Sequence, residues 1–209
     1  MPEWILVPGG NLGNVSAIYK GFKEMYDMGL VDAIPRLVCC QTENANPFFL
    51  SFSKALREER DMRFDDYESI TAQATLASAI QIGAPVSYPK AFKAIVDSNG
   101  LVEQCTEQEM ANAVAIADKT GMFNCPHTGV ALACLMKLVE ANTIKGNERV
   151  VVISTAHGLK FTDFKAGYHN DTLPFSGDFQ NQPVNFGSEP DEVCGDLIKI
   201  LDERKSRVD

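Results

Sequence analysis

The stretch Trp4-Ile5-Leu6-Val7-Pro8-Gly9-Gly10-Asn11-Leu12-Gly13-Asn14-Val15 sets the fold class. Its four leading apolar residues read as a short buried strand, too brief for a helix and closed by a Pro-Gly-Gly turn. Beyond the turn, Val15, Ile18, Phe22 and Met25 recur at the spacing of an amphipathic helix over 15–28, and Gly29 stands where a C-terminal cap belongs. Strand, glycine loop and helix therefore follow one another without a spare residue. No earlier helix or hairpin covers the faces of the strand, which predicts a place inside the sheet.

Working outward, Arg36-Leu37-Val38-Cys39-Cys40 predicts a second strand, returned parallel to the first by a βαβ crossover. A helix is expected over 48–56, a charge-rich surface segment over 57–69, a helix over 87–98 and a strand over 101–105. Thr106-Glu107-Gln108-Glu109 is a capping box, in which the Thr oxygen takes an orphan amide and the Glu reaches back, and it opens a helix to about Lys119. An apolar helix is expected over 128–141, and the β-branched run 149–154 is the plainest strand of the chain. Strands alternating with helices make the class α/β, with a mostly parallel sheet flanked by helices. Past Lys160 the pattern loosens into a wrapping tail, until Ser188-Glu189-Pro190-Asp191 opens a final helix bearing Val193, Leu197, Ile200 and Leu201. The expected division is a domain portion over 1–160 and a C-terminal extension over 161–209.

Composition removes several function classes. Nineteen Lys and Arg against 28 Asp and Glu leave a formal charge of -9, with no basic run to meet a phosphate backbone, so no nucleic-acid partner is expected. The cysteines at 39, 40, 105, 125, 134 and 194 show no C-x-x-C spacing. With apolar neighbours, they are expected as reduced, buried small hydrophobes rather than metal ligands. No run approaches a membrane span and no signal-peptide pattern is present, so a soluble protein without a membrane partner is expected.

The glycine loop is the first candidate site. At the end of a parallel strand and the start of a helix, backbone amides and the positive helix end converge on an anion. The spacing is neither G-x-G-x-x-G nor G-K-[ST], so a phosphate other than that of a dinucleotide or a Walker loop is implied. A plain turn, using Gly for sharpness and Asn for left-handed backbone, accounts for the same residues. The second candidate is Ser154-Thr155-Ala156-His157-Gly158-Leu159-Lys160, at the strand end where open α/β sheets place ligands. A hydroxyl there can meet a heterocycle nitrogen or merely cap the next segment, and His157 reads as a hydrogen-bonded loop residue. Two weaker stretches are 77–85, small residues running into a Gly/Pro turn, and 125–131, where Pro126 precedes a helix. Tight packing explains either one as well.

Taken together, V-P-G-G-N-L-G-N at 7–14, A-S-A-I-Q-I-G-A-P-V-S at 77–87, C-P-H-T-G-V-A at 125–131 and S-T-A-H-G-L-K-F at 154–161 closely resemble the threonine synthases, particularly the plant-like form. The resemblance implies the C-terminal portion of a pyridoxal 5'-phosphate enzyme of the tryptophan synthase β type. The fold would then be part of a fold type II large domain with a C-terminal tail helix. It implies conversion of O-phosphohomoserine and water to threonine and phosphate, by a homodimer in the full-length form. The location would be the plastid stroma if the source is a plant or alga, and the cytoplasm otherwise. By the same resemblance, Gly10, Asn11, Leu12, Gly13 and Asn14 would bind the cofactor phosphate and Thr155 would meet the pyridine nitrogen. The family's Schiff-base lysine lies in an S-F-K-D context upstream of the glycine loop. Lys54 and Lys165 do not replace it and are expected on the solvated surface, so the chain alone is expected to be inactive. A non-catalytic phosphate-binding module and a subunit-interaction protein remain the alternatives, with threonine dehydratase as the neighbouring enzyme.

Overall fold

In the computed structural model, which describes residues 1–205, β1 (Trp4–Pro8) is buried along its whole length. Its alternation explains why. Trp4 and Leu6 point to one face of the sheet, and Ile5 and Val7 to the other, and each face is covered by helices. A strand buried on both sides reads as an unbroken apolar run, which is how Trp4 to Val7 reads.

The sheet has four parallel strands in the order β3 (Leu101–Cys105), β2 (Arg36–Thr42), β1, β4 (Val150–Val152). Leu6 lies beside Val38 on one side and Val152 on the other, so β1 is an interior strand, as its composition predicts. On one face, α1 (Gly13–Asp27) and α3 (Tyr88–Asp97) cover Ile5, Val7, Leu37 and Cys39. On the other, α4 (Glu107–Asp118) and α5 (Pro126–Glu140) cover Trp4, Leu6, Val38 and Cys40. The remaining helix between β2 and β3 is α2 (Pro47–Arg57).

The local signals acted as their chemistry requires. The Glu109 N–H donates to Thr106 Oγ1 at 3.1 Å, and the Thr106 N–H donates to the Glu109 carboxylate at 2.8 Å, which completes the capping box. Gly29 has a φ of +70°, the left-handed conformation of a helix C-cap glycine. Helix α5 starts two residues earlier than its periodicity predicts, because Pro126 occupies the first turn, where its missing N–H costs nothing.

Four expectations need correction. The strand expected over 149–154 is in register with β1 only over 150–152, with backbone hydrogen bonds reaching Arg149 and Ile153 on either side, and it is half-buried because it is an edge strand paired with β1 alone. Its last residues turn off the sheet, with the Ser154 hydroxyl donating to Asn124 Oδ1 at 3.1 Å and the Thr155 N–H to Thr128 Oγ1 at 3.2 Å. In the charged segment 57–69, Asp66 is buried rather than solvated, gripped by the two terminal guanidinium nitrogens of Arg60 at 2.6 and 2.7 Å. Lys165 is not on the solvated surface. It sits on a helix that the loose tail pattern did not reveal, α6 (Thr162–His169), which turns the side chain inward onto the Asp118 carboxylate and over the Phe123 ring at 4.4 Å. Lys54 does stay partly exposed. Cys194 is exposed, unlike the other five cysteines.

The tail wraps the α4–α5 side as far as Phe179. Tyr168 donates to Asn112 at 2.7 Å and accepts the Phe179 N–H at 3.1 Å, while Phe175 and Phe179 pack on the core. The final helix is α7 (Pro190–Lys205), and its expected apolar stripe stays outside the core, with Leu197 45% exposed. Among the described residues, no helix is long and apolar enough to cross a membrane, and no group of His, Cys, Asp and Glu could hold a metal.

Candidate functional site

The glycine loop is built by close approach. A Cβ at Gly9 would lie 2.4 Å from Cys39 Sγ, and one at Gly10 would lie 2.9 Å from Ile80 Cα, so both positions exclude a side chain. The Gly9 N–H donates to Cys40 O at 2.7 Å, which extends the sheet into the loop. Leu12 then adopts a left-handed conformation, φ 64°, an uncommon state for a residue with a Cβ. Burial of its side chain offsets that strain. Asn11 fastens the far side, its Oδ1 accepting the Val86 N–H at 2.7 Å and its carbonyl the Ser87 N–H at 3.3 Å.

This construction leaves α1 without a side-chain cap and without an acidic residue in its first turn. The backbone amides of residues 10–14 find no acceptor among the described residues. Orphan donors at a helix start carry partial positive charge and suit an anion.

Beside this loop lies a cavity of about 460 Å³. Gly10, Asn11, Leu12, Gly13 and Asn14 line it, and so does Thr155 from the turn after β4, so all six residues singled out in the sequence meet in one cleft. The two weak stretches meet there as well, through Ala79 and Ile80 from one and His127 from the other. His127 is buried and its Nε2 accepts the Ala79 N–H at 3.0 Å, so it secures the wall rather than offering a free base. His157 points elsewhere, its Nδ1 accepting the Leu159 N–H at 3.2 Å, in keeping with a loop role. Lys160, which the sequence reading left unassigned, lines the cleft and is exposed.

Thr155 is exposed to the cleft but anchored from behind. Its hydroxyl lies 3.5 Å from the sulfur of Cys125, the residue that caps α5. Burial pushes that thiol up, but hydrogen bonds with His127, Thr128 and Thr155 outweigh it and hold the thiol down to about 6. A second buried polar group, Gln41 at the end of β2, ties the loop to α2. Gln41 carried no signal beyond being polar at the end of an apolar strand.

The fit is to a phosphorylated heterocycle. Unpaired amides offer a seat for the phosphate, and a hydroxyl on another element offers a partner for a ring nitrogen. The volume falls in the range of small-molecule sites.

Residues 1–156 match the family model of the pyridoxal-phosphate dependent enzymes. The chain is 50% identical over 208 residues to threonine synthase 2, chloroplastic, of Arabidopsis thaliana, an alignment covering 97% of this chain and 39% of that protein. It is 40% identical over 164 residues to the threonine synthase of Methanocaldococcus jannaschii, covering 78% of this chain and 38% of the other. The chain thus spans about two fifths of the length of these relatives. Among solved structures, threonine synthase from Escherichia coli superposes with a TM-score of 0.57 at 16% identity, covering 90% of this chain and 37% of its own. The processed form of threonine deaminase isoform 2 from Solanum lycopersicum superposes with a TM-score of 0.55 at 18% identity, covering 78% of this chain and 44% of its own. These likenesses establish the fold as that of the fold type II enzymes. With its parallel sheet, its glycine loop and a match that runs through all four strands to the start of the turn after the last, the chain belongs to the family of pyridoxal-phosphate dependent enzymes.

Proposed function

We propose that this chain supplies the phosphate and ring-nitrogen side of the cofactor site of a threonine synthase, the enzyme that forms threonine and phosphate from O-phosphohomoserine and water. The observation that carries the reading is that residues 10–14, whose amides find no acceptor among the described residues, and Thr155 line one cleft. The 50% identity to a plant threonine synthase across nearly the whole chain supports the reaction class.

In this reading Gly10, Asn11, Leu12, Gly13 and Asn14 hold the pyridoxal phosphate by its phosphate, using donors that the fold leaves free. Thr155 would orient the ring by a hydrogen bond at the pyridine nitrogen, with Ile80 and Phe161 lining the same cleft. The cofactor, when bound, supplies the electron sink for the reaction, and the protein supplies position and electrostatics. A neutral hydroxyl at the ring nitrogen moderates that sink relative to an acidic partner.

The chain alone binds without turning over. Lys165 is committed to Asp118 and Lys54 sits on α2, and neither lines the cleft. Lys160 does line it, on the short turn that follows Thr155, but it stands in the S-T-A-H-G-L-K run and not in the upstream S-F-K-D context in which the family carries its Schiff-base lysine. In the full protein a lysine from a preceding segment completes the site, the active form is a homodimer, and residues 1–160 belong to the catalytic domain with 161–209 as its extension. The chloroplastic relative favours the plastid stroma. Titrating the chain with pyridoxal 5'-phosphate while following its absorbance tests the reading. Saturable binding that inorganic phosphate competes away, without threonine formation from O-phosphohomoserine, is the expected result, and no binding would refute it.

A further inference from the structure

Behind Thr155 lies a buried thiol to which the proposed site gives no role. Cys125 caps α5, and its Sγ accepts the Thr128 N–H at 3.4 Å. The same sulfur lies 3.3 Å from Thr128 Oγ1 and 3.5 Å from Thr155 Oγ1. Thr128 Oγ1 in turn accepts the Thr155 N–H at 3.2 Å. Both the amide and the hydroxyl of Thr155 are thus fixed by the start of α5.

A hydroxyl has one proton, so what it gives to one partner it cannot give to another. We propose that Cys125 is a positioning residue whose ionisation sets the hydrogen-bond sense of Thr155. As a thiolate, Cys125 takes the Thr155 proton in a hydrogen bond, and the hydroxyl oxygen is left to accept from a protonated ring nitrogen. As a thiol, it donates its own proton to Thr155, whose hydroxyl then donates to an unprotonated nitrogen. The proposal rests on the reading that Thr155 meets the ring nitrogen. Its consequence is that a neutral hydroxyl gains part of the effect of an acidic partner.

The surroundings favour the thiolate. The sulfur sits at the positive end of α5, in contact with the Thr128 amide. His127 hydrogen-bonds with it, and the buried Lys165 ammonium acts on it from α6, with its charge partly answered by Asp118 of α4. Burial opposes ionisation, and the balance leaves the thiol at about 6. By contrast, burial pushes Cys39, Cys40 and Cys134 up, and the hydrogen bond with Cys134 does the same to Cys105.

The test uses the full chain in a Cys194→Ser background, which removes the exposed thiol, with and without Cys125→Ser. Serine is a good helix cap and keeps a hydroxyl that does not ionise. Pyridoxine 5'-phosphate is the probe, because it lacks the aldehyde and its binding needs no lysine. Ultraviolet thiolate absorbance of the ligand-free chain should show a step centred near pH 6 that Cys125→Ser abolishes. The nitrogen of the bound probe should lose its proton about one pH unit higher in the chain that keeps Cys125 than in the Cys125→Ser variant, as an anion nearby requires. Absence of the thiolate step, or the same nitrogen titration in both chains, overturns the proposal. A folded chain that binds no probe at any pH instead sinks the reading of the cleft, and the proposal falls with it.

Discussion

The buried carboxamide of Gln41 donates to the carbonyl of Gly9 across 3.1 Å and so fixes the entry of the glycine loop. Its oxygen accepts the Phe48 and Phe49 N–H groups at 3.1 and 3.0 Å, in the first turn of α2. One side chain therefore satisfies three backbone groups and couples the loop to the helix that follows β2. In Gln41→Leu all three are stranded in the interior. The expected loss is about 2–3 kcal/mol in urea unfolding, the scale of buried polar groups left without partners. Affinity for pyridoxine 5'-phosphate should fall along with it. Unchanged stability would show that the carboxamide is replaceable and that the loop holds its shape by packing alone.

Gly13 separates steric from electrostatic demands on the same loop. A Cβ there meets nothing closer than Ser87 Oγ at 3.9 Å, so Gly13→Asp fits. Its carboxylate would enter a first helical turn that has no acidic residue, where it stabilises the helix by roughly 0.3–1 kcal/mol. The same charge repels a bound phosphate. The thermal midpoint should hold or rise slightly while affinity for pyridoxal 5'-phosphate drops at least about tenfold, some 1.4 kcal/mol. Binding equal to that of the unmodified chain would move the phosphate site away from these amides.

Much of this arrangement was legible in the sequence because it rests on local chemistry. Trp4 to Val7 is apolar on both faces because both faces are covered, and the turn at Gly9 and Gly10 contains glycine because Cys39 and Ile80 leave no room. The capping box at Thr106 needs no tertiary context. What escaped was set by distant partners. Gln41 is an ordinary polar residue until Gly9 and Phe48 arrive around it, and Lys165 looks solvent-exposed until α6 turns it toward Asp118. The strand at 149–154 was overextended because β-branched residues signal extension, whereas its end is fixed by side chains of Asn124 and Thr128.

The sheet also carries a pH-sensitive clasp. Arg149 donates its backbone N–H and its guanidinium to the Glu3 carboxylate, each at 2.7 Å, joining the start of β4 to the start of β1. The guanidinium first, then the backbone amide, lowers the Glu3 carboxyl from its ordinary 4.5 to about 2. The folded chain thus keeps this group ionised where the unfolded chain protonates it. Its contribution is full above pH 4.5 and is lost as pH falls toward 2. Arg60 holds Asp66 well below the carboxylate range, and this acts in the same direction. Calorimetry across this window should show a falling midpoint, with the Glu3→Gln curve less steep and meeting that of the unmodified chain near pH 2. Parallel curves would exclude Glu3 as a source of acid sensitivity.

Gly129 tests whether the far side of the sheet matters to the cleft. On α5, a Cβ at this position would lie 2.3 Å from Val114 Cγ2 and 2.9 Å from the Met110 carbonyl of α4. Alanine is the better helix former by about 0.5–1 kcal/mol, but forcing atoms into a packed core costs roughly 1–3 kcal/mol. Steric cost should win, giving a net loss of about 1–2 kcal/mol for Gly129→Ala in urea unfolding. Adding Val114→Ala removes the nearer clash but leaves the carbonyl, so the double variant should recover part of the loss, and strict additivity would deny the contact. The Gly129 N–H donates to the Cys125 carbonyl at 3.1 Å, within the turn that holds Thr155. A shift of α5 away from α4 would therefore displace Cys125 and Thr128 together, and the affinity for pyridoxine 5'-phosphate should fall in Gly129→Ala and return in the double variant as stability does.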